Sequence, residues 1–101
     1  MPDRPTRTVR AVPRFLKSKR RLPPASQEEI DSQVRELIEN PLLGEAKTGV
    51  LKGVRVVKFK VGRQQYLLAC LFFPKPNVIE VLDVGLHENF YRDLQSYLEA
   101  R

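Results

Sequence analysis

Apolar and polar residues change rhythm several times along this chain, and each rhythm predicts an element. Residues 7–12, RTVRAV, alternate polar and apolar and predict a short strand that Pro13 ends. Residues 13–22, PRFLKSKRRL, put proline at a favourable first helical position and set Phe15, Leu16, Lys19 and Leu22 on a short amphipathic helix. Pro23 and Pro24 break it. Residues 26–40, SQEEIDSQVRELIEN, carry Ile30, Val34, Leu37 and Ile38 at i, i+4, i+7 and i+8, with Ser26 and Glu29 spaced as a capping box and Pro41 closing the helix. Joined by the Pro-Pro elbow, the two helices make a hairpin whose second member turns its acids outward.

After a loop containing Gly44 and Gly49 the period falls to two. Within residues 54–61, Val57, Phe59 and Val61 share one face, while Val54, Val56, Lys58 and Lys60 share the other. Residues 65–73, QYLLACLFF, are apolar on both faces, which suits a central strand covered by helices on one side. Residues 77–85, NVIEVLDVG, form a third run reached through the turn PKPN, and the short connections imply an antiparallel meander. In residues 88–100, Phe90, Leu94, Tyr97 and Leu98 recur at helical spacing and predict a terminal helix. The order is β-α-α-β-β-β-α: an α+β fold with an antiparallel sheet, an N-terminal helical hairpin and a C-terminal helix. With neither internal repeats nor a long linker, residues 1–101 read as a single domain.

Composition narrows the chemistry. The chain has 101 residues, of which 42% are apolar, enough for one modest core. The single cysteine, Cys70, lies in an apolar run and reads as a buried thiol rather than a nucleophile. One Cys and one His cannot supply the paired spacing of a zinc site, and no carboxylate cluster suggests a hard cation, so neither metal nor cofactor is expected. No apolar run approaches the length of a membrane span, and the start lacks an uninterrupted apolar segment, which predicts a soluble cytoplasmic protein without a membrane partner.

Charge narrows the partners. The net charge of +6 points to a polyanion or an acidic protein. Its distribution alternates: residues 1–21 carry eight Lys/Arg against one Asp, residues 22–43 one Arg against five acids, residues 44–70 six Lys/Arg against one Glu, and residues 71–101 three against five acids. The cluster KSKRR on its own fits a solvated helix face.

The candidate chemistry lies in the second basic segment and just after the last strand. Lys58 and Lys60 point the same way about 7 Å apart, close to the spacing of successive phosphates on an extended nucleic acid strand. Arg55 and Arg63 bracket them, and His87, the only histidine, leaves the last strand in VGLHENFY. Beside cations, a histidine can take or give a proton during attack on a phosphodiester while the cations neutralise the charge that builds up. No metal is needed if the nucleophile is the substrate's own ribose 2′-OH, which favours RNA. Tyr91 follows His87 by four residues and can stack on a base or bond a phosphate. Each feature has an ordinary reading too: a solvent-exposed strand edge for the lysines, a polar turn residue for His87, helix packing for Tyr91.

These segments resemble the RelE/ParE superfamily of bacterial type II toxins over nearly the whole chain. PRFLKSKRRLPPASQEEIDSQVRELIENP is similar to the helical hairpin of that family, LKGVRVVKFKVGRQQYLL to its K-x-K strand block, and VGLHENFYRDL to its final strand and terminal helix. The resemblance implies the small α+β toxin fold that resembles microbial RNases. In RelE-like ribonucleases the K-x-K lysines hold the scissile phosphate, which maps onto Lys58 and Lys60. In the branch typified by the YafQ toxin, a G-x-H-x-x-x-aromatic segment supplies a catalytic histidine and an aromatic, which maps onto Gly85, His87 and Tyr91. The chain departs from the pattern where many members read Tyr-Arg in the middle strand and this one reads Tyr66-Leu67; Arg63 or Arg55 is then the candidate substitute for substrate binding.

The resemblance implies the toxin of a type II toxin–antitoxin module, bacterial or phage-encoded. Its expected activity is that of a metal-independent endoribonuclease, cutting mRNA at the ribosome and so inhibiting translation. His87, Lys58, Lys60 and Tyr91 are its expected catalytic residues, and a cognate antitoxin is its expected partner. Two alternatives stay open: a ParE-like inhibitor of DNA gyrase without RNase activity, and an inactive homologue that only binds RNA or a partner.

Overall fold

Proline sets the start of both helices in the hairpin. Pro13 opens α1 (Pro13–Arg20) and Pro24 opens α2 (Pro24–Glu39), positions where the fixed φ suits a helix and the missing N–H would have had no partner. In this computed structural model, which describes residues 7–87 and 89–101, α1 and α2 follow the strand β1 (Thr8–Ala11). Then come a two-residue strand β2 (Glu45–Ala46), a single 3-10 turn at Gly49–Leu51, β3 (Arg55–Val61), β4 (Gln64–Phe73), β5 (Val78–Leu86) and α3 (Phe90–Ala100). The start of the first basic segment, residues 1–6, and Glu88 of the expected terminal helix lie outside the described residues.

The predicted capping box is not formed. α2 begins three residues earlier than the Ser26 pattern implied, with Pro23 as its N-cap and no side-chain cap. Ser26 is therefore inside the first turn and buried, and its hydroxyl shares a 2.9 Å hydrogen bond with the hydroxyl of Tyr66. Proline at the first position outweighed the S-x-x-E spacing. Four of the five acids of α2 face outward: Glu28, Asp31, Glu36 and Glu39 are exposed, and Glu29 is half-buried.

The sheet has five strands in the order β1-β5-β4-β3-β2. The expected meander β3-β4-β5 is present and antiparallel, and β1 adds to it by running parallel along β5. Residue alternation sorts the sheet into two faces. On one face Val57, Phe59, Leu68 and Ile79 pack with Phe15 of α1 and with Ile30 and Leu37 of α2. The other face is also covered, contrary to the one-sided expectation: Val54, Val56, Leu67, Ala69 and Leu82 pack against Phe90 and Leu94 of α3. This explains why β4 is apolar on both faces. Ile30, Leu37, Leu67, Leu68, Ile79, Leu82 and Leu94 are completely buried, each contributing roughly 1.5–3 kcal/mol of transfer free energy.

Two buried acids on β5 tie the ends of the chain to the sheet. Asp83 accepts from Arg14 Nε at 2.9 Å and from the Ser18 hydroxyl at 2.6 Å, both on α1. Glu80 accepts from Arg101 at 2.5 Å and lies 3.6 Å from Arg10. Arg14 and Arg101 both lie against the ring of Tyr97. These contacts fix the C-terminal end of α3, and with it the direction from which its N-terminus meets the sheet.

Candidate functional site

The strand register decides which candidate residues share a face. Lys58 pairs with Leu67, and Leu67 with Gly85, in one row across three strands. Lys60 pairs with Gln65, and the β4–β5 register carried one residue past its last pair, Tyr66 with Leu86, sets His87 across from Gln65. Two strand spacings separate Lys60 from His87, about 10 Å. Since Lys60 lies two residues from Lys58 and His87 two from Gly85, all four belong to the face of the Lys58–Leu67–Gly85 row, which α3 covers. Lys58, Lys60 and His87 are exposed.

A tight turn brings Tyr91 back onto His87. Phe90 N donates to the His87 carbonyl at 3.2 Å, and Asn89 takes a left-handed conformation with φ 62°, which asparagine tolerates better than most residues. The rings of His87 and Tyr91 then meet edge to face, centroids 5.7 Å apart at 85°. Tyr91 also meets Phe90 edge-on. Its hydroxyl is buried and has no well-directed hydrogen-bond partner among the described residues.

Lys47, which the sequence reading missed, completes this cluster. Its backbone N–H bonds the Val54 carbonyl at 2.9 Å, extending the β2–β3 ladder by one residue and aligning Lys47 with the face that carries Val54, Val56 and Lys58. Its ammonium lies 4.8 Å from the centre of the Tyr91 ring, a cation–π distance, and donates to Glu45 at 2.8 Å. The hydrogen bond from Lys47, the Lys47 charge and the Lys58 charge hold the Glu45 carboxyl below the usual range. The same bond raises the Lys47 pKa against the opposing effect of partial burial, with a smaller contribution from Tyr91. A two-residue strand leaves almost no periodicity to detect, and so neither residue stood out in the sequence.

Close backbone packing sets where β2 begins. A Cβ at Gly44 would come within 3.0 Å of the Val56 carbonyl carbon and oxygen, so only glycine lets the chain approach β3 there. Arg55 reinforces the same point from the other face: its Nη1 donates to the Gly44 carbonyl at 2.7 Å and to that of Leu42 at 3.3 Å. Arg55 is thus engaged in holding the α2–β2 loop and is not brought to His87. Arg63 is exposed at the tip of the β3–β4 hairpin, next to Gly62 with φ 60°.

The position expected to hold a middle-strand arginine is sealed. Leu67 has no solvent exposure and packs with Phe90 and Leu94. The apolar layer beneath α3 therefore runs up to the edge of the lysine face. A shallow hollow of about 370 Å³ lies beyond Lys58, lined by Leu43, Glu36 and Glu45 among others, but neither His87 nor Tyr91 borders it. Among the described residues, no group of three His, Cys, Asp or Glu is placed to share a metal ion.

Comparison with known proteins bears on the family and the fold. The sequence model of a family described as the ParE-like toxin of type II bacterial toxin–antitoxin systems matches residues 9–95. No curated protein matches the chain in sequence. Among solved structures, the free Escherichia coli toxin RelE, as a double mutant, superposes with a TM-score of 0.74 at 19% identity, covering 95% of this chain and 99% of that one. The toxin–antitoxin complex RelBE2 from Mycobacterium tuberculosis gives 0.72 at 19% identity, covering 81% and 99%. The intact E. coli RelBE toxin–antitoxin complex gives 0.67 at 23% identity, covering 81% and 98%. At these identities the likeness carries the fold, which is the one the sequence implied.

Proposed function

The chain belongs to the ParE-like toxin family of type II bacterial toxin–antitoxin systems, and from that premise we propose that it is an endoribonuclease cutting mRNA at the ribosome and inhibiting translation. The observation that carries this reading is the contact of His87 with Tyr91 at the edge of the face bearing Lys58 and Lys60. An exposed imidazole held edge-on against a half-buried ring, on the same face as two exposed lysines, is suited to acid–base work on a bound phosphodiester.

In the proposed reaction the 2′-oxygen of a ribose attacks the adjacent phosphorus. His87 either takes the 2′-OH proton while water protonates the departing 5′-oxygen, or delivers a proton to that oxygen while water takes the 2′-OH proton; a 2′,3′-cyclic phosphate and a free 5′-OH result. Because the substrate supplies the nucleophile, the step runs without a metal. Lys58 and Lys60 neutralise the charge that accumulates on the non-bridging oxygens. Tyr91 acts chiefly through His87, since one side of its ring faces Lys47 and its hydroxyl is buried. Arg63 at the hairpin tip is available to the RNA backbone, whereas Arg55 serves the loop that it already holds. The protein would act in the cytoplasm, and no helix among the described residues is long and apolar enough to cross a membrane.

The partner we infer is a cognate antitoxin. Two of the three structures compared above are toxin–antitoxin complexes, and the exposed lysines call for an acidic or amphipathic segment that folds as it covers them.

The test is transcript cleavage by the purified protein in a translating extract, with His87→Ala as the control. Loss of cutting in a variant that retains its fold supports the reading; equal cutting removes His87 from it. One observation favours a second reading: Leu67 fills the arginine position with a buried apolar side chain. A ParE-like inhibitor of DNA gyrase would leave transcripts intact and block supercoiling, and an inactive homologue would do neither.

A further inference from the structure

Glu45 stands among the cations of the site where an anion from outside would be expected. Its carboxylate is 2.8 Å from the Lys47 ammonium. It shares the face of Lys58, because Glu45 pairs with Val56 and Lys58 lies two residues further along the same strand, the diagonal spacing at which side chains on neighbouring strands interact. The two partners are not equally fixed. The Lys47 side chain is only 22% exposed and lies over the Tyr91 ring, whereas the Glu45 side chain is 65% exposed. The lysine is built into the cluster; the glutamate reaches it from solvent.

We propose that Lys47 is a substrate-binding residue for a phosphate of single-stranded RNA, and that Glu45 is a built-in competitor occupying it until the RNA arrives. A phosphodiester offers the same pair of terminal oxygens and the same single negative charge as a carboxylate, so one can replace the other on Lys47 without leaving a charge uncompensated. Glu45 then swings into solvent at little cost, since an exposed ion pair contributes little. Lys47 would extend the track begun by Lys60 and Lys58 along the covered edge of the sheet, and the cation over Tyr91 would pass the presence of phosphate to the ring that positions His87. The inference rests on the RNase reading for the identity of the polyanion. The pairing of Glu45 with Lys47 would otherwise serve only to hold a two-residue strand.

The experiment uses the full chain carrying His87→Ala, so that a labelled single-stranded RNA of about a dozen nucleotides binds without being cut, and measures affinity by anisotropy across a salt series. Glu45→Gln keeps the shape and removes the charge. It should tighten binding by about two- to fivefold at low salt, the scale on which an exposed pair competes. Lys47→Ala should weaken binding and reduce the slope of log affinity against log salt by about 0.7, the loss of one phosphate contact on a single strand. In the Lys47→Ala background most of the gain from Glu45→Gln should disappear. RNA binding by the parent that neither substitution alters would overturn the proposal and leave the RNase reading standing. Absence of RNA binding in the parent and every variant would overturn both.

Discussion

His87 and Tyr91 meet edge to face with their ring centres 5.7 Å apart, so the exposed imidazole takes its orientation from a ring that is itself held by Phe90 and Lys47. This separates two functions of Tyr91 that substitution can resolve. Tyr91→Phe keeps the ring and deletes a buried hydroxyl that has no well-directed partner among the described residues. It should leave cleavage within about twofold and change stability by no more than about 1 kcal/mol, the scale of one net hydrogen bond. Tyr91→Ala removes the surface that His87 rests on and should lower kcat at least tenfold with a smaller change in KM. Equal losses in both variants would mean that the hydroxyl, not the ring, is what matters.

The Cys70 thiol gives a pH prediction whose sign is fixed by burial. Burial pushes its pKa up to about 11, with the Arg55 charge offsetting part of the effect. The native state therefore holds its proton where the unfolded chain, ionising near 9, has lost it. The corresponding stability is complete below about pH 9 and drains away between about pH 9 and 11, at close to 1.4 kcal/mol per pH unit. Urea denaturation at pH 8 and pH 10 should show a decline larger by about 1 kcal/mol in the parent than in Cys70→Ala. Parallel declines would show that the thiol is not protected in the native state. The folded thiol should also resist alkylation at pH 8, since thiolate is the reactive form.

Gly44 is where β2 depends on the absence of a side chain. With the Val56 backbone 3.0 Å from the position a Cβ would take, and the Gly44 carbonyl bound by Arg55, Gly44→Ala must push the α2–β2 loop away from β3. Overpacking against backbone costs about 1–3 kcal/mol, measurable as a shift in the denaturation midpoint. Because Lys47 follows on the same ladder, the variant should also lose RNA affinity, by no more than Lys47→Ala does.

How much of this was legible in the sequence depended on whether a pattern was long enough to carry a period. The strands of residues 55–61, 64–73 and 78–86 were readable because alternation and apolar runs persist over seven residues or more, and the K-x-K pair followed from parity alone. β2 was not readable, since two residues have no period, and with it went Glu45 and Lys47. Arg55 illustrates a different limit. Its proximity to Lys58 in sequence suggested a shared site, yet odd and even residues of a strand face opposite ways, and the carbonyls of Leu42 and Gly44 that engage it come from a loop whose path no pattern disclosed. Ser26 matched a capping motif but was overruled by the proline two residues before it. The spacing of His87 and Tyr91 made them candidates, while their ring contact depends on the left-handed turn at Asn89, which the sequence suggests only weakly.

Leu67 poses the sharpest question about the site, because it replaces the arginine that the family resemblance leads one to expect. Lys58 and Gly85 flank it in the same row of the sheet, so an arginine there would begin beneath Phe90 and Leu94 and have to displace them to reach solvent. Leu67→Arg should therefore not restore a missing function. Burying a guanidinium in this layer without a carboxylate partner should cost at least about 3 kcal/mol, seen as a large drop in thermal midpoint, with cleavage falling as α3 loosens and Tyr91 loses its seat. Leu67→Met, nearly equal in volume, should cost less than about 1.5 kcal/mol and leave cutting intact. If Leu67→Arg were instead stable and more active than the parent, the apolar layer would have to rearrange readily, and the lysine face would be an incomplete site waiting for that arginine rather than one that works with Lys47, Lys58 and Lys60 alone.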